Sequence, residues 1–194
     1  MSSTHSHVVV AFDFTHSGRA ALTRAITLAA RAPFHVLHFV CAIEPHTRIP
    51  SIAETHSVGY QYAEEVQRAL TAEIERELRA TDHVVGQIQF FVHARIGTPV
   101  DEILMVAREV GADLIITGSK GVTGLERVIV GSVSERVVRE AGCTVEVARA
   151  KTYPDVNLLQ VVDTTEAHHK YVPPHRYTYE NRNLNLRPTD WPLY

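Results

Sequence analysis

Five short apolar runs, with a helix-patterned segment fitting between each successive pair, constrain this chain more than any other feature. The first, HVVVAF at 7–12, is almost continuously apolar and ends at Asp13. A run without polar alternation suits a strand covered on both faces. HVLHFVCAI at 35–43 is a second buried strand, QIQFFVHARIG supplies a third near 87–94, and DLIITG is the fourth. TVEVA at 144–148 alternates more clearly, as an edge strand or an intersubunit strand would.

The intervening segments carry helical spacing. Ala21, Leu22, Ala25, Ile26 and Ala29 form one stripe, with Ser17 as the expected N-cap and Pro33 ending the pattern. A second helix is expected from about Ser57 to Arg79, where Val58, Tyr62, Val66, Leu70 and Ile74 recur every four residues. Thr98 caps a third helix with Pro99 at its first position, which presents Ile103, Leu104 and Ala107 and ends near Gly111. A fourth begins at about Leu125 or Ser132 and runs to Arg139. Strands and helices in strict alternation make a doubly wound α/β sheet the economical solution, with parallel strands joined by crossovers.

The chain of 194 residues suits one domain with some length left over. Residues 149–194 change character: they hold five of the seven tyrosines, the only tryptophan and five of the nine prolines. They read as an extended aromatic-rich arm, with Tyr177, Tyr179, Trp191 and Tyr194 as anchors onto the domain or a neighbouring subunit. A mobile tail is the alternative. Nineteen Lys plus Arg against twenty-two Asp plus Glu give no reason to expect a nucleic-acid partner. Without a leader or a long apolar segment, the sequence reads as cytoplasmic with no membrane partner. Cys41 and Cys143 read as reduced core thiols inside strands.

Function turns on GSKGVTGLERVIVGSVS at 118–134. In a doubly wound sheet, ligands sit beyond the carboxyl ends of the strands, and this segment leaves that end of the fourth strand while Asp13 leaves the first. Glycines permit close backbone approach, and free N–H groups at a helix start donate to an anion. Neither a Walker A loop nor a dinucleotide fingerprint is present, because Gly131-Ser132 lacks the lysine and DFTHSG follows the first strand. A structural turn accounts for Gly118 and Gly121 nearly as well as a ligand does. It accounts less easily for Gly131-Ser132-Val133-Ser134.

VVVAFDFTHSGRAAL, LHF at 37–39, RIGTPVDEI, ADLIITGSKG and VGSVSERVVREAGCTVEV resemble a nucleotide-binding universal stress protein domain over about residues 5–148. Gly118-x2-Gly121-x9-Gly131-Ser132 matches that family's ATP-binding pattern. The resemblance implies strand order 3-2-1-4-5 in a five-stranded parallel sheet, helices on both faces, a homodimer, and ATP at the carboxyl edge with Mg²⁺ carried in by it. Carried over to this chain, Asp13 lies near the nucleoside, Ala11 lines the adenine pocket and Phe39 offers backbone hydrogen bonds to the base. Gly118, Gly121, Gly131, Ser132, Val133 and Ser134 surround ribose and phosphates, and Lys120 is a possible charge partner. Phe39 departs from the family's usual Val, and Thr144 from its usual Pro.

No catalytic or resident metal residue is assigned. Asp13, His16 and Ser17 lack a nucleophile elbow, and the twelve histidines form no compact ligand set. The expected function is ATP-dependent stress response or regulation through an unidentified protein partner. A nonnucleotide dimeric scaffold is the alternative, and a weak ATPase is a third reading.

Overall fold

The computed structural model describes residues 5–45, 49, 52, 59–81, 88–119 and 131–150. Residues 149 and 150 apart, the arm lies outside them. In chain order the elements are β1 (Ser6–Ala11), α1 (His16–Arg31), β2 (His35–Ile43), α2 (Tyr60–Ala80), β3 (Gln89–Ile96), α3 (Pro99–Val110), β4 (Leu114–Gly118), α4 (Ser132–Glu140) and β5 (Thr144–Ala148). All neighbouring strands are parallel, in the order β3-β2-β1-β4-β5. The strand order therefore reverses between β1 and β4.

Because side chains alternate along a strand, each run feeds two cores. Val8 and Val10 of β1 and Leu37, Phe39 and Cys41 of β2 pack with Leu22 and Ile26 of α1 and with Tyr62, Leu70 and Ile74 of α2. Val9 and Val40 point the other way, into a cluster with Val100, Ile103 and Leu104 of α3 and Val137 of α4. Helices α1 and α2 thus cover one face, and α3 and α4 the other.

Local chemistry sets the element ends. Thr15, not Ser17, caps α1: its side chain accepts the Gly18 N–H at 3.2 Å, and Ser17 lies within the first turn. Pro99 opens α3 as expected. Thr98 occupies its N-cap position but makes no side-chain cap bond, since its hydroxyl donates to the Asp101 carboxylate instead. Gly111 ends α3 at φ 64, ψ 48, a left-handed position that glycine adopts without Cβ strain. Strand β3 begins two residues later than the apolar pattern predicts and runs to Ile96. Cys143 directly precedes β5 rather than lying inside it, and is half-buried.

Charged groups tie the layers together. The Arg24 guanidinium of α1 forms a two-pronged pair with Glu146 of β5, its Nη2 at 3.1 Å. Glu73 of α2 is nearly buried and pairs with both Arg19, at 3.0 Å, and Arg76. Two cations on one carboxylate leave little of its charge uncompensated as it is removed from water.

Candidate functional site

The reversal of strand order between β1 and β4 leaves a crevice at their carboxyl ends, because the chain departs from the two strands towards opposite faces. A cleft of about 160 Å³, partly open to solvent, occupies it. Ala11 and Asp13 from the end of β1, Gly118 from the end of β4, and Gly131, Ser132, Val133 and Ser134 from the start of α4 all line it. Seven of the nine residues singled out in the sequence therefore meet at one place.

Phe39 does not. It is fully buried on the α1 and α2 face of β2, and the next residue, Val40, faces the cleft. The contact expected of Phe39 is through its backbone, which does not depend on the face its ring takes. Gly121 falls outside the described residues, as do Lys120, Glu126 and Arg127. The sequence reading also missed Ala42, Pro99, Ile103 and Thr117 in the lining. Three of these are apolar, and they give the cleft a dry wall opposite its polar rim.

The β1–α1 turn is fixed by one carboxylate. Asp13 Oδ1 accepts the Thr15 backbone N–H at 3.0 Å and the Thr15 hydroxyl at 2.6 Å, and Thr15 Oγ1 in turn takes the Gly18 N–H. Phe14, between them, sits at φ 60, a left-handed conformation that a bulky residue adopts only when its surroundings hold it there. Its ring packs edge-on against Phe12 at 4.9 Å. The Asp13 carboxylate engages Thr15 rather than His16, so the Asp13, His16 and Ser17 grouping has no triad geometry.

The opposite rim is a helix N-terminus. Gly131 is the N-cap of α4 and, having no side chain, makes no cap hydrogen bond. Its own N–H donates to the Ser119 carbonyl at 2.8 Å, which sets the direction in which the helix starts. The Ser134 hydroxyl is turned back onto the Gly131 carbonyl at 3.0 Å. What faces the cleft is therefore mainly the first-turn backbone of α4, whose N–H groups have no partner within the helix. Such a terminus attracts an anion through its donors and its dipole.

Thr117 is buried at the end of β4, and its hydroxyl has no hydrogen-bond partner among the described residues. Beneath the cleft, burial and then the nearby Asp13 charge push the Cys41 thiol up to about 12, so it stays neutral. Among the described residues no group of three or more His, Cys, Asp or Glu side chains could hold a metal ion. No helix among them is long and apolar enough to cross a membrane.

The universal stress protein family model matches residues 4–149. The chain belongs to the universal stress protein family. A Staphylococcus aureus (strain USA300) protein named as a universal stress protein is 31% identical over 169 residues, 87% of this chain and 98% of its own length. A Staphylococcus epidermidis protein of the same name matches to the same extent, at 31% identity over 169 residues.

Solved universal stress protein structures share the fold. UspA from Lactobacillus plantarum superposes with a TM-score of 0.56 at 23% identity, covering 76% of this chain and 100% of its own. A universal stress protein crystallised in complex with cAMP gives a TM-score of 0.53 at 24% identity, covering 75% of this chain and 98% of its own.

Proposed function

We propose that this protein binds an adenine nucleotide, ATP with its Mg²⁺, in the cleft between β1, β4 and α4, and works as a cytoplasmic homodimer that regulates a protein partner. The observation that carries this reading is the uncapped start of α4 facing a cleft whose other wall is apolar. The pairing of a dry wall for a base with backbone donors for phosphates suits a nucleotide better than a small anion. The fold relative crystallised in complex with cAMP supports the same class of ligand.

In this reading the Val40 side chain stands beside the base with Ala11 and Ile103 flanking it, and Phe39 offers its backbone to the base. Ser132 and Val133 direct their N–H groups to the phosphates, while the Gly131 N–H stays on the Ser119 carbonyl. Asp13 spends one carboxylate oxygen on Thr15 and keeps the other for the ribose or the incoming Mg²⁺. The described residues fit Mg²⁺ only as an ion already chelated by the nucleotide, because Asp13 is the single carboxylate in their part of the lining. The ion would neutralise phosphate charge there.

Binding rather than turnover is the principal activity proposed. Transfer of a phosphoryl group needs a positioned water and cationic stabilisation, and the described lining contributes no Lys or Arg. Nucleotide would regulate a partner by favouring one arrangement of the cleft over another. The test is to identify any ligand retained on native purification by mass spectrometry, then to titrate ATP, AMP and cAMP calorimetrically. Adenine nucleotide at near-stoichiometric occupancy supports the reading, whereas a protein that is empty and silent to all three refutes it.

A further inference from the structure

Three of the twelve histidines, dispersed in sequence, meet in a row across the sheet. His7 of β1, His38 of β2 and His93 of β3 lie on the face that α3 and α4 partly cover. His7 Nδ1 is 3.0 Å from His38 Nε2, and His38 Nδ1 is 3.2 Å from His93 Nε2. His38 is 5% exposed and stacks on Phe91, with ring centroids 5.2 Å apart and planes within 14°. Nothing in the spacing 7, 38, 93 announces this row, since parallel register alone brings the rings together.

The row has a proton capacity fixed by counting. A neutral imidazole has one N–H donor and one acceptor nitrogen. Each of the two ring-to-ring contacts needs one proton between its nitrogens, and the two outward nitrogens, His7 Nε2 and His93 Nδ1, can each carry one more. Four protons is therefore the most that leaves both contacts intact, against three for neutral rings. One added proton is tolerated anywhere along the row. A second forces two N–H groups to face each other at one contact.

We propose that His7, His38 and His93 form an acid-sensitive latch across β1, β2 and β3: it stays closed with at most one added proton, and a second proton opens it. Arg95 of β3 and Glu109 of α3, paired at 2.5 Å, stand beside His93, and Asp113, between α3 and β4, accepts the His7 backbone N–H at 3.1 Å. Arg95 opposes a charge on His93, and Glu109 favours it.

Burial resists charging at the centre of the row. Desolvation, followed by the charges of His93 and His7, lowers His38 to about 4, and burial also lowers His93. An unfolded histidine takes its proton near 6.5, so between there and about 4 the unfolded chain binds more protons than the native one. Native stability attributable to the neutral state of His38 and His93 is full above pH 6.5 and is lost as pH falls through that window. The row reaches the cleft through His93, which is in register with Val40, a lining residue.

The experiment is a nitrogen-detected NMR titration of the imidazoles in the full chain, from pH 8 downwards. The expected result is one proton shared by the row, then a second taken up at least about tenfold less readily, together with loss of the ring-to-ring couplings. Three independent titrations of unit steepness would overturn the proposal. Denaturant unfolding at pH 7 and pH 5 provides the second arm. In His38→Gln, which can bridge its neighbours but cannot titrate, the acid-induced fall in the folding constant should shrink at least about threefold. An equal fall in both proteins would overturn the proposal. If His38→Gln does not fold, His93→Gln replaces it in the same comparison.

Discussion

Gly118 and Ser17 touch through their backbones: a Cβ on Gly118 would overlap the Ser17 carbonyl group and come within 3.0 Å of Ser17 Cβ. The end of β4 and the start of α1 are in direct contact, so this glycine already has a structural occupation whatever the cleft holds. Gly118→Ala should therefore destabilise the protein by about 2 kcal/mol, since backbone rather than a flexible side chain must give way. Urea unfolding without ligand measures it, and an unchanged midpoint would show that α1 can move aside.

Gly131→Asp should separate binding from stability. At φ −73, ψ 158 the position accepts any residue, and an aspartate there can cap α4. Stability should rise by a few tenths of a kcal/mol, about the usual gain over glycine. ATP affinity should fall at least about tenfold, because the carboxylate competes for the N–H groups and repels the phosphates. Calorimetry and thermal melting on the same sample test both halves, and unchanged affinity would remove the phosphates from α4.

Thr15→Ala removes the cap of α1 and both hydrogen bonds from the Thr15 hydroxyl. The expected loss is about 1 kcal/mol. Thr15→Ser should recover most of it, because the hydroxyl rather than the methyl carries the cap. A serine variant as unstable as the alanine variant would place the effect in packing instead.

Cys41 and Cys143 should differ in reactivity. Burial raises both thiols, but Cys41 is fully covered and Cys143 only half. At pH 8 a disulfide reagent should modify Cys143 slowly and Cys41 only in denaturant. The folded Cys41 thiol titrates near 12 against 9.0 unfolded, so its stabilising share is intact below pH 9 and is lost as pH rises towards 12. Rapid labelling of two thiols in native protein would contradict this burial.

Sequence reasoning succeeded where one residue type has one physical use. Pro99 at a helix start, Gly111 at a helix end and the limits of β2 and β5 fall where expected. It failed where several residues satisfy the same rule. Thr15 and Ser17 are both good caps, and the tie is broken by Asp13, whose carboxylate holds Thr15. The histidine row was invisible because it depends on the register of three strands, which no local pattern encodes.

The Asp13, Thr15 and Gly18 hydrogen bonds knit the bend after β1 into a closed loop before any visitor arrives. A molecule settling at that edge finds the carboxylate already aimed, and little motion remains there to be frozen. Its uptake should accordingly carry a small entropic penalty on that side, and its discrimination between guests should stem from shape already present rather than from rearrangement.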